Sequence, residues 1–331
     1  MKTILKHRSR RCDTVGGDQL VAIVALPNFT LMALGCITDT LRLANRVAGH
    51  PLYRWLVVGL DRTIKASSEV SILADSTIAE MKERAADIVI VCGGLQGHLH
   101  RNRRLCAWLR MLDRRGAIIG ATSTGIWPVA HAGLLDGRRC AVHWDELATF
   151  TENYPLVEAQ PDIFVADGRR LTCSGGVAIV DMVLNLIAMQ HSKIFAENVA
   201  DLLVHARIRP ADEKQRKYDQ FNLAALGPVQ RAIALMEDSI ETVLPIRELA
   251  ARVGGSSRQL ERLFRSALET TPKQHYNLIR LRHARKFLTE TDIPISEIAI
   301  RCGYLSQPQF SAQFKKIFGQ SPRHCRQTAR V

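Results

Sequence analysis

A block of residues near the carboxyl end of this 331-residue chain is written twice. Pro245-Ile246-Arg247-Glu248-Leu249-Ala250 recurs as Pro294-Ile295-Ser296-Glu297-Ile298-Ala299, and Arg252-Val253-Gly254 as Arg301-Cys302-Gly303, at an offset of 49. After the glycine the second copy is one residue longer. Ser256-x-x-Gln259-Leu260 therefore matches Ser306-x-x-Gln309-Phe310, Phe264-Arg265 matches Phe314-Lys315, and Pro272 matches Pro322 at an offset of 50. Two copies fall short of the three or more that a solenoid needs. Each copy is instead a small unit that folds from local signals.

Those signals read as helix, turn, helix. A short helix carrying Ile246, Leu249 and Ala250 (Ile295, Ile298 and Ala299) stops at a glycine suited to a left-handed C-cap. The next helix opens on Ser-x-x-Gln, the spacing at which serine and glutamine satisfy each other's orphan amides. Such a pair forms a helix-turn-helix unit, whose second helix enters a DNA major groove. Units are expected at about 245–268 and 294–318.

Residues three and four apart share a helix face. Leu260, Leu263, Phe264 and Leu268 form the expected inner stripe of the first reading helix, which sends Arg258, Gln259, Glu261, Arg262 and Arg265 to the DNA-facing side. In the second, Phe310, Phe314 and Ile317 point inward, leaving Gln307, Ser311, Ala312 and Lys315 outward. Arg and Gln read guanine and adenine edges bidentately. Between the copies, Gln274 to Leu288 reads as one linker helix (about 273–289), with Arg280, Arg282 and Lys286 on its wet side.

This half resembles the AraC/XylS family of bacterial transcription regulators. The resemblance rests on Ser256-Ser257-Arg258-Gln259-Leu260-Glu261-Arg262-Leu263-Phe264, Arg280-Leu281-x-x-Ala284-Arg285, Ile298-Ala299-x-x-Cys302-Gly303-Tyr304 and Phe310-x-x-x-Phe314-Lys315-x-x-Phe318-Gly319-x-Ser321-Pro322. It implies double-stranded DNA with tandem half-sites in successive major grooves as the partner, and RNA polymerase beside it. Pro308 and Ala312 depart from the polar residues the family often carries there.

Charge agrees. Residues 229–331 carry 17 Lys and Arg against 9 Asp and Glu, whereas residues 18–228 carry 23 against 22. A basic end beside a neutral middle places the polyanion partner at the carboxyl end. The basic residues 1–17 read as a disordered tail. The eight cysteines have no CxxC or metal-ligand spacing and read as reduced packing thiols, so neither metal nor cofactor is expected. With no secretory signal and no apolar run of about 18 residues, the expected location is cytoplasmic, with no membrane partner.

From Leu20 the pattern changes to short Val- and Ile-rich runs (21–26, 55–60, 88–92, 117–120) between helical stretches (31–47, 101–114, 177–189). Strands buried on both faces and separated by helices argue for a parallel α/β sheet, with binding sites at the strands' carboxyl ends. One strand runs into Gly93-Gly94, where backbone amides can approach a ligand. Another runs into Ala121-Thr122-Ser123-Thr124-Gly125, the spacing of a nucleophile elbow and equally of any tight strand–helix turn. His143-Trp144-Asp145 follows a third strand, at 139–142. His143 reads either as an acid–base or ligand contact or as a packed histidine.

These stretches resemble the PfpI-like, class I glutamine-amidotransferase-like domain of GlxA-like regulators. The matching residues are Asp39-x-Leu41-Arg42-x-Ala44-Asn45, Val91-x-Gly93-Gly94, Gly120-Ala121-x-Ser123-Thr124-Gly125, Ala132-Gly133-Leu134-Leu135-Asp136-Gly137-Arg138, His143-Trp144 and Cys173-x-Gly175-Gly176-x-x-x-x-Asp181. Enzymes of that fold carry cysteine at the elbow, where Ser123 stands here. The expected fold is a flavodoxin-like, amidotransferase-like parallel α/β domain (18–195), used for ligand sensing and homodimerisation, then a linker (196–227) and an all-α AraC-type domain (228–331). Gly93, Gly94, Ser123, Thr124, His143 and Asp39 are the expected effector-binding residues. The effector class implied is an amino acid or a quaternary ammonium compound, with Trp127, Trp144 or Phe29 either facing such a cation or packing in the core. The expected function is a metabolite-responsive transcription activator, not an enzyme. The alternative is an amidase or hydrolase using Ser123, His143 as base and Asp145 as its orienter.

Overall fold

The computed structural model describes residues 18–81, 84–215 and 227–328. The expected tail (1–17) and residues 216–226 of the expected linker lie outside them.

The α/β unit spans residues up to 143 and 156–213. Its strands are β1 (Gln19–Ala25), β2 (Tyr53–Gly59), β3 (Thr63–Lys65), β4 (Ser71–Leu73), β5 (Ser76–Thr77), β6 (Ile88–Cys92), β7 (Ile118–Thr122), β8 (Arg139–Ala141), β9 (Glu158–Gln160), β10 (Phe164–Asp167) and β11 (Arg170–Cys173). Seven form one sheet in the order β10-β11-β7-β6-β1-β2-β5, parallel throughout except for the β10–β11 pair. Every residue of β6 is buried. An unbroken Ile-Val-Ile-Val-Cys run is therefore right for a central strand covered on both faces, each buried side chain contributing about 1.5–3 kcal/mol.

Helices α1 (Leu31–Ala48), α2 (Arg103–Arg114), α3 (Ile126–His131), α5 (Ala178–Gln190) and α6 (Lys193–Leu202) complete this unit; α4 (Leu147–Asn153) groups with the helical unit. The linker was expected to begin at 196, yet α6 buries Ala196, Val199 and Ala200 in the α/β core. Beyond it, Asp181, fully buried on α5, accepts from Arg209 N, Nε and Nη2 at 2.7–2.9 Å and lies 2.8 Å from His205 Nε2. A buried carboxylate requires such partners, and they hold this segment to the sheet unit as far as Glu213. Helix α6 itself ends at Leu202.

The helical unit comprises residues 144–155 and 214–331. Its elements after α4 are α7 (Pro228–Asp238), α8 (Ile246–Arg252), α9 (Ser257–Leu268), α10 (Pro272–Glu290), α11 (Ile295–Arg301), α12 (Gln307–Phe318) and α13 (Pro322–Thr328). Two small cores form, one around Leu249, Leu260, Phe264 and Tyr276, the other around Leu281, Phe287, Ile298, Phe310 and Phe314. The inner stripes are shorter than expected: Leu268 and Ile317, at the far ends of α9 and α12, are 40% and 45% exposed. Among the described residues no helix is long and apolar enough to cross a membrane.

Candidate functional site

Four loops at the carboxyl ends of parallel strands converge on Ser123. After β1, Thr30 N donates to Gly93 O and Leu95 N to Asn28 O, tying the first loop to the one after β6. After β7, Ser123 adopts φ 52° in a single 3-10 turn before α3. That left-handed conformation is strained for a side chain other than glycine and is characteristic of functional turns. Thr124 Oγ1 donates to Gly94 O at 2.9 Å. A Cβ added at Gly93 would lie 2.1 Å from Gly125 N, and one at Gly97 2.3 Å from Thr124 Oγ1. After β11, Gly175 (φ 111°) places its α-carbon so that a Cβ would lie 3.1 Å from Ser123 Cβ. Close backbone approach, rather than flexibility, is what these glycines serve.

Gly93, Gly94, Ser123 and Thr124 are thus brought together, and Thr124 is spent on the loop itself. Asp39 is exposed on α1 and paired with Arg42 at 2.9 Å. His143 is half-buried just beyond β8, which pairs with β9 outside the main sheet. Asp145 directs its carboxylate to Lys286 Nζ at 2.6 Å within the helical unit. Trp127 and Phe29 are at most 1% exposed and pack in the core, leaving no ring face for a cation; Trp144 is exposed. Burial pushes the Cys92 and Cys173 thiols up to about 12, which keeps them protonated packing groups. Sequence reasoning missed a set of exposed apolar side chains that lie close in sequence to these loop residues. Met32, Leu95, Leu99 and Val177 are exposed, and each stands one or two residues beyond Thr30, Gly94, Gly97 or Gly176.

In the helical unit the turns have the expected form. Gly254 and Gly303 take φ 81° and 70° after α8 and α11. Ser256 caps α9 reciprocally with Gln259: Gln259 Oε1 accepts from Ser256 N at 2.8 Å, and Ser256 Oγ accepts from Gln259 N at 3.3 Å. Gln259, expected at the DNA, is therefore a capping residue. The second box is half-made, Ser306 Oγ accepting from Gln309 N at 3.4 Å. Arg258, Glu261, Arg262 and Arg265 are exposed on α9, as are Gln307, Ala312 and Lys315 on α12, with Ser311 half-buried.

The linker helix departs from its expected wet face. Arg280 donates to Cys302 O and Gly303 O, both at 2.7 Å, closing the carbonyl end of α11. Arg231 on α7 donates to Val253 O at 2.8 Å, closing α8 in the same way 49 residues earlier. The repeat therefore includes the helix in front of each unit, which only the fold reveals. Lys286 is half-buried between Asp145 and Glu146, at 2.6 and 2.8 Å; Arg282 is exposed as expected.

Two helix-turn-helix units bridged by a helix, in one chain with a parallel sheet whose strand-end loops meet at Ser123, define a DNA-binding transcription regulator with a second, α/β domain. A model of the DJ-1/PfpI family matches residues 21–189, and one of a helix-turn-helix domain matches residues 249–328. The chain is similar to the HTH-type transcriptional regulator GbdR of Pseudomonas aeruginosa (38% identical over 311 residues, 93% of this chain and 84% of the relative). It is also similar to the HTH-type transcriptional regulator GlxA of Rhizobium meliloti (33% over 305 residues, 92% and 94%). The crystal structure of an AraC family transcriptional regulator from Pseudomonas putida shares the fold, with TM-score 0.52 and 24% identity over 56% of this chain and 99% of that one. The chain belongs to the GlxA-like transcriptional regulators, in which a DJ-1/PfpI domain is joined to an AraC-type helix-turn-helix domain.

Proposed function

We propose that this regulator activates transcription from tandem half-sites when a small metabolite binds at the strand-end loops around Ser123. The observation that carries the reading is the pairing of two reader helices, α9 and α12, on either side of one 19-residue bridging helix. Arg258, Glu261 and Arg262 face bases from α9, while Arg265 and Lys315 meet phosphates. At the strand-end loops, the amides at Gly94 and Thr124 and the Ser123 hydroxyl suit a carboxylate. The exposed side chains of Met32, Leu95, Leu99 and Val177 suit an apolar or N-methylated body. An amino acid or a quaternary ammonium compound has both parts. Two chains pair through the α/β unit, and RNA polymerase binds beside them. A ligand shifts such a system only by binding one arrangement better than the other.

Footprinting of the full-length protein on genomic fragments next to its gene, with and without a panel of nitrogen metabolites, tests this reading. Protection of two blocks one helical turn apart, strengthened by one metabolite class, is expected. Protection that no fragment competes for better than random duplex would overturn it.

The left-handed Ser123 favours one other reading, residual hydrolysis, because that geometry exposes a side chain at a strand end. Turnover of an amide or ester that disappears in Ser123→Ala would establish it.

A further inference from the structure

The second turn differs from the first in a way the repeat makes measurable. Its additional residue brings Tyr304 inward, where the hydroxyl donates to Asn277 Oδ1 at 2.7 Å and the ring lies under Arg280. The next residue, Leu305, is left 96% exposed immediately before the Ser306 cap of α12. Pro308 and Ala312, also exposed, lie four apart and share one face of the first turns of α12, just beyond Leu305. At the matching places in the first unit, 50 residues earlier, stand Gly255, Arg258 and Arg262. One unit therefore presents guanidinium groups where the other presents apolar side chains.

An exposed leucine alone is ordinary on a protein surface. Pro308 and Ala312 stand in register with Arg258 and Arg262 of the first unit, which places them at the major groove, with Leu305 immediately ahead of them at the start of the helix. The apolar feature the groove offers is the thymine 5-methyl group, and Ala and other apolar side chains contact it. We propose that α12 selects its half-site through thymine methyl groups, with Leu305, Pro308 and Ala312 as the contacts and Leu305 as the principal one. The inference rests on the reading of α12 as a DNA reader and adds the chemistry by which it reads. The two half-sites then differ in kind, guanine-bearing under α9 and thymine-rich under α12.

The test uses the full-length protein on its footprinted operator, with each thymine of both half-sites replaced in turn by deoxyuridine, which removes only the methyl group. Wild type is expected to lose three- to tenfold in affinity at one or two thymines under α12. Leu305→Ala is expected to bind the native operator three- to tenfold more weakly and to be indifferent to the same replacements. Its thermal transition should be unchanged, since the side chain is in water. If wild type tolerates deoxyuridine throughout the α12 half-site, or if Leu305→Ala keeps wild-type sensitivity, the proposal is overturned. A protein that protects the α9 half-site alone would instead overturn the assignment of α12 as a reader, which separates the two failures.

Discussion

Arg280 holds its guanidinium over the ring of Tyr304, 4.1 Å from the centroid. With its two bonds to the carbonyls of Cys302 and Gly303, this side chain fixes both the end of α11 and the inward turn that follows. Arg280→Ala removes a cation–π contact and leaves those carbonyls short of a charged donor, at a cost of about 2–3 kcal/mol. Thermal melting should report that loss. Footprinting should show protection over the second half-site failing before the first.

Gly93→Ala tests the strand-end loops as a packed object. The new Cβ meets backbone rather than a movable side chain, 2.1 Å from Gly125 N. A loss of roughly 3 kcal/mol is expected from overpacking alone. An unchanged denaturation midpoint would mean that the loops after β6 and β7 are not in contact.

Ser123→Gly should separate stability from response. Glycine accepts φ 52° without strain, so the α/β unit gains up to about 1 kcal/mol. The hydroxyl is lost with it. The expected pair of results is a higher melting temperature and a weaker metabolite-induced thermal shift.

On the DNA side, Arg262→Ala should weaken specific binding by about 1–3 kcal/mol and relax selection at one base position. Lys315→Ala should weaken binding to all sequences alike and flatten its salt dependence. Titrations on operator and random duplex at several salt concentrations distinguish the two. If Arg262→Ala leaves selectivity untouched, α9 is not the reader.

Glu290 gives the helical unit a pH dependence. Burial pushes its carboxyl up to about 7, Glu146 adds to the effect, and Lys286 partly offsets it. In the unfolded chain the group titrates in the ordinary carboxylate range. A raised folded value means that its contribution is complete below that range and is lost as pH rises through about 7. Glu290→Gln retains an oxygen for Thr149 Oγ1, which donates at 2.8 Å. The variant is expected to be less sensitive than wild type between pH 5 and 8, by about 1–2 kcal/mol. Parallel urea titrations at the two pH values measure it.

The features legible in the sequence were those written in neighbouring residues. Gly254 and Gly303 announced left-handed turns, Ser256 and Gln259 a reciprocal cap, and the Val- and Ile-rich runs a sheet covered on both faces. Ser123 was legible as an elbow because its small neighbours bracket it within five residues. Arg280 and Lys286 misled, because spacing along a helix says which face a residue occupies but not what later packs against that face. Arg280 met the end of α11, and Lys286 met the acidic residues before α4. The capping role of Gln259 was visible in its spacing and competed with base reading for the same side chain.

The sequence by itself determined the two domain types, the duplicated reader and the basic end that meets DNA, because caps, turns and hydrophobic period act over a few residues. Only the tertiary structure decided that four strand-end loops close around Ser123, that Asp145 serves a lysine, and that Leu305 stands in water beside the second reader. Those outcomes depend on which distant backbone reaches a given side chain first, and loop closure over tens of residues leaves no local signature.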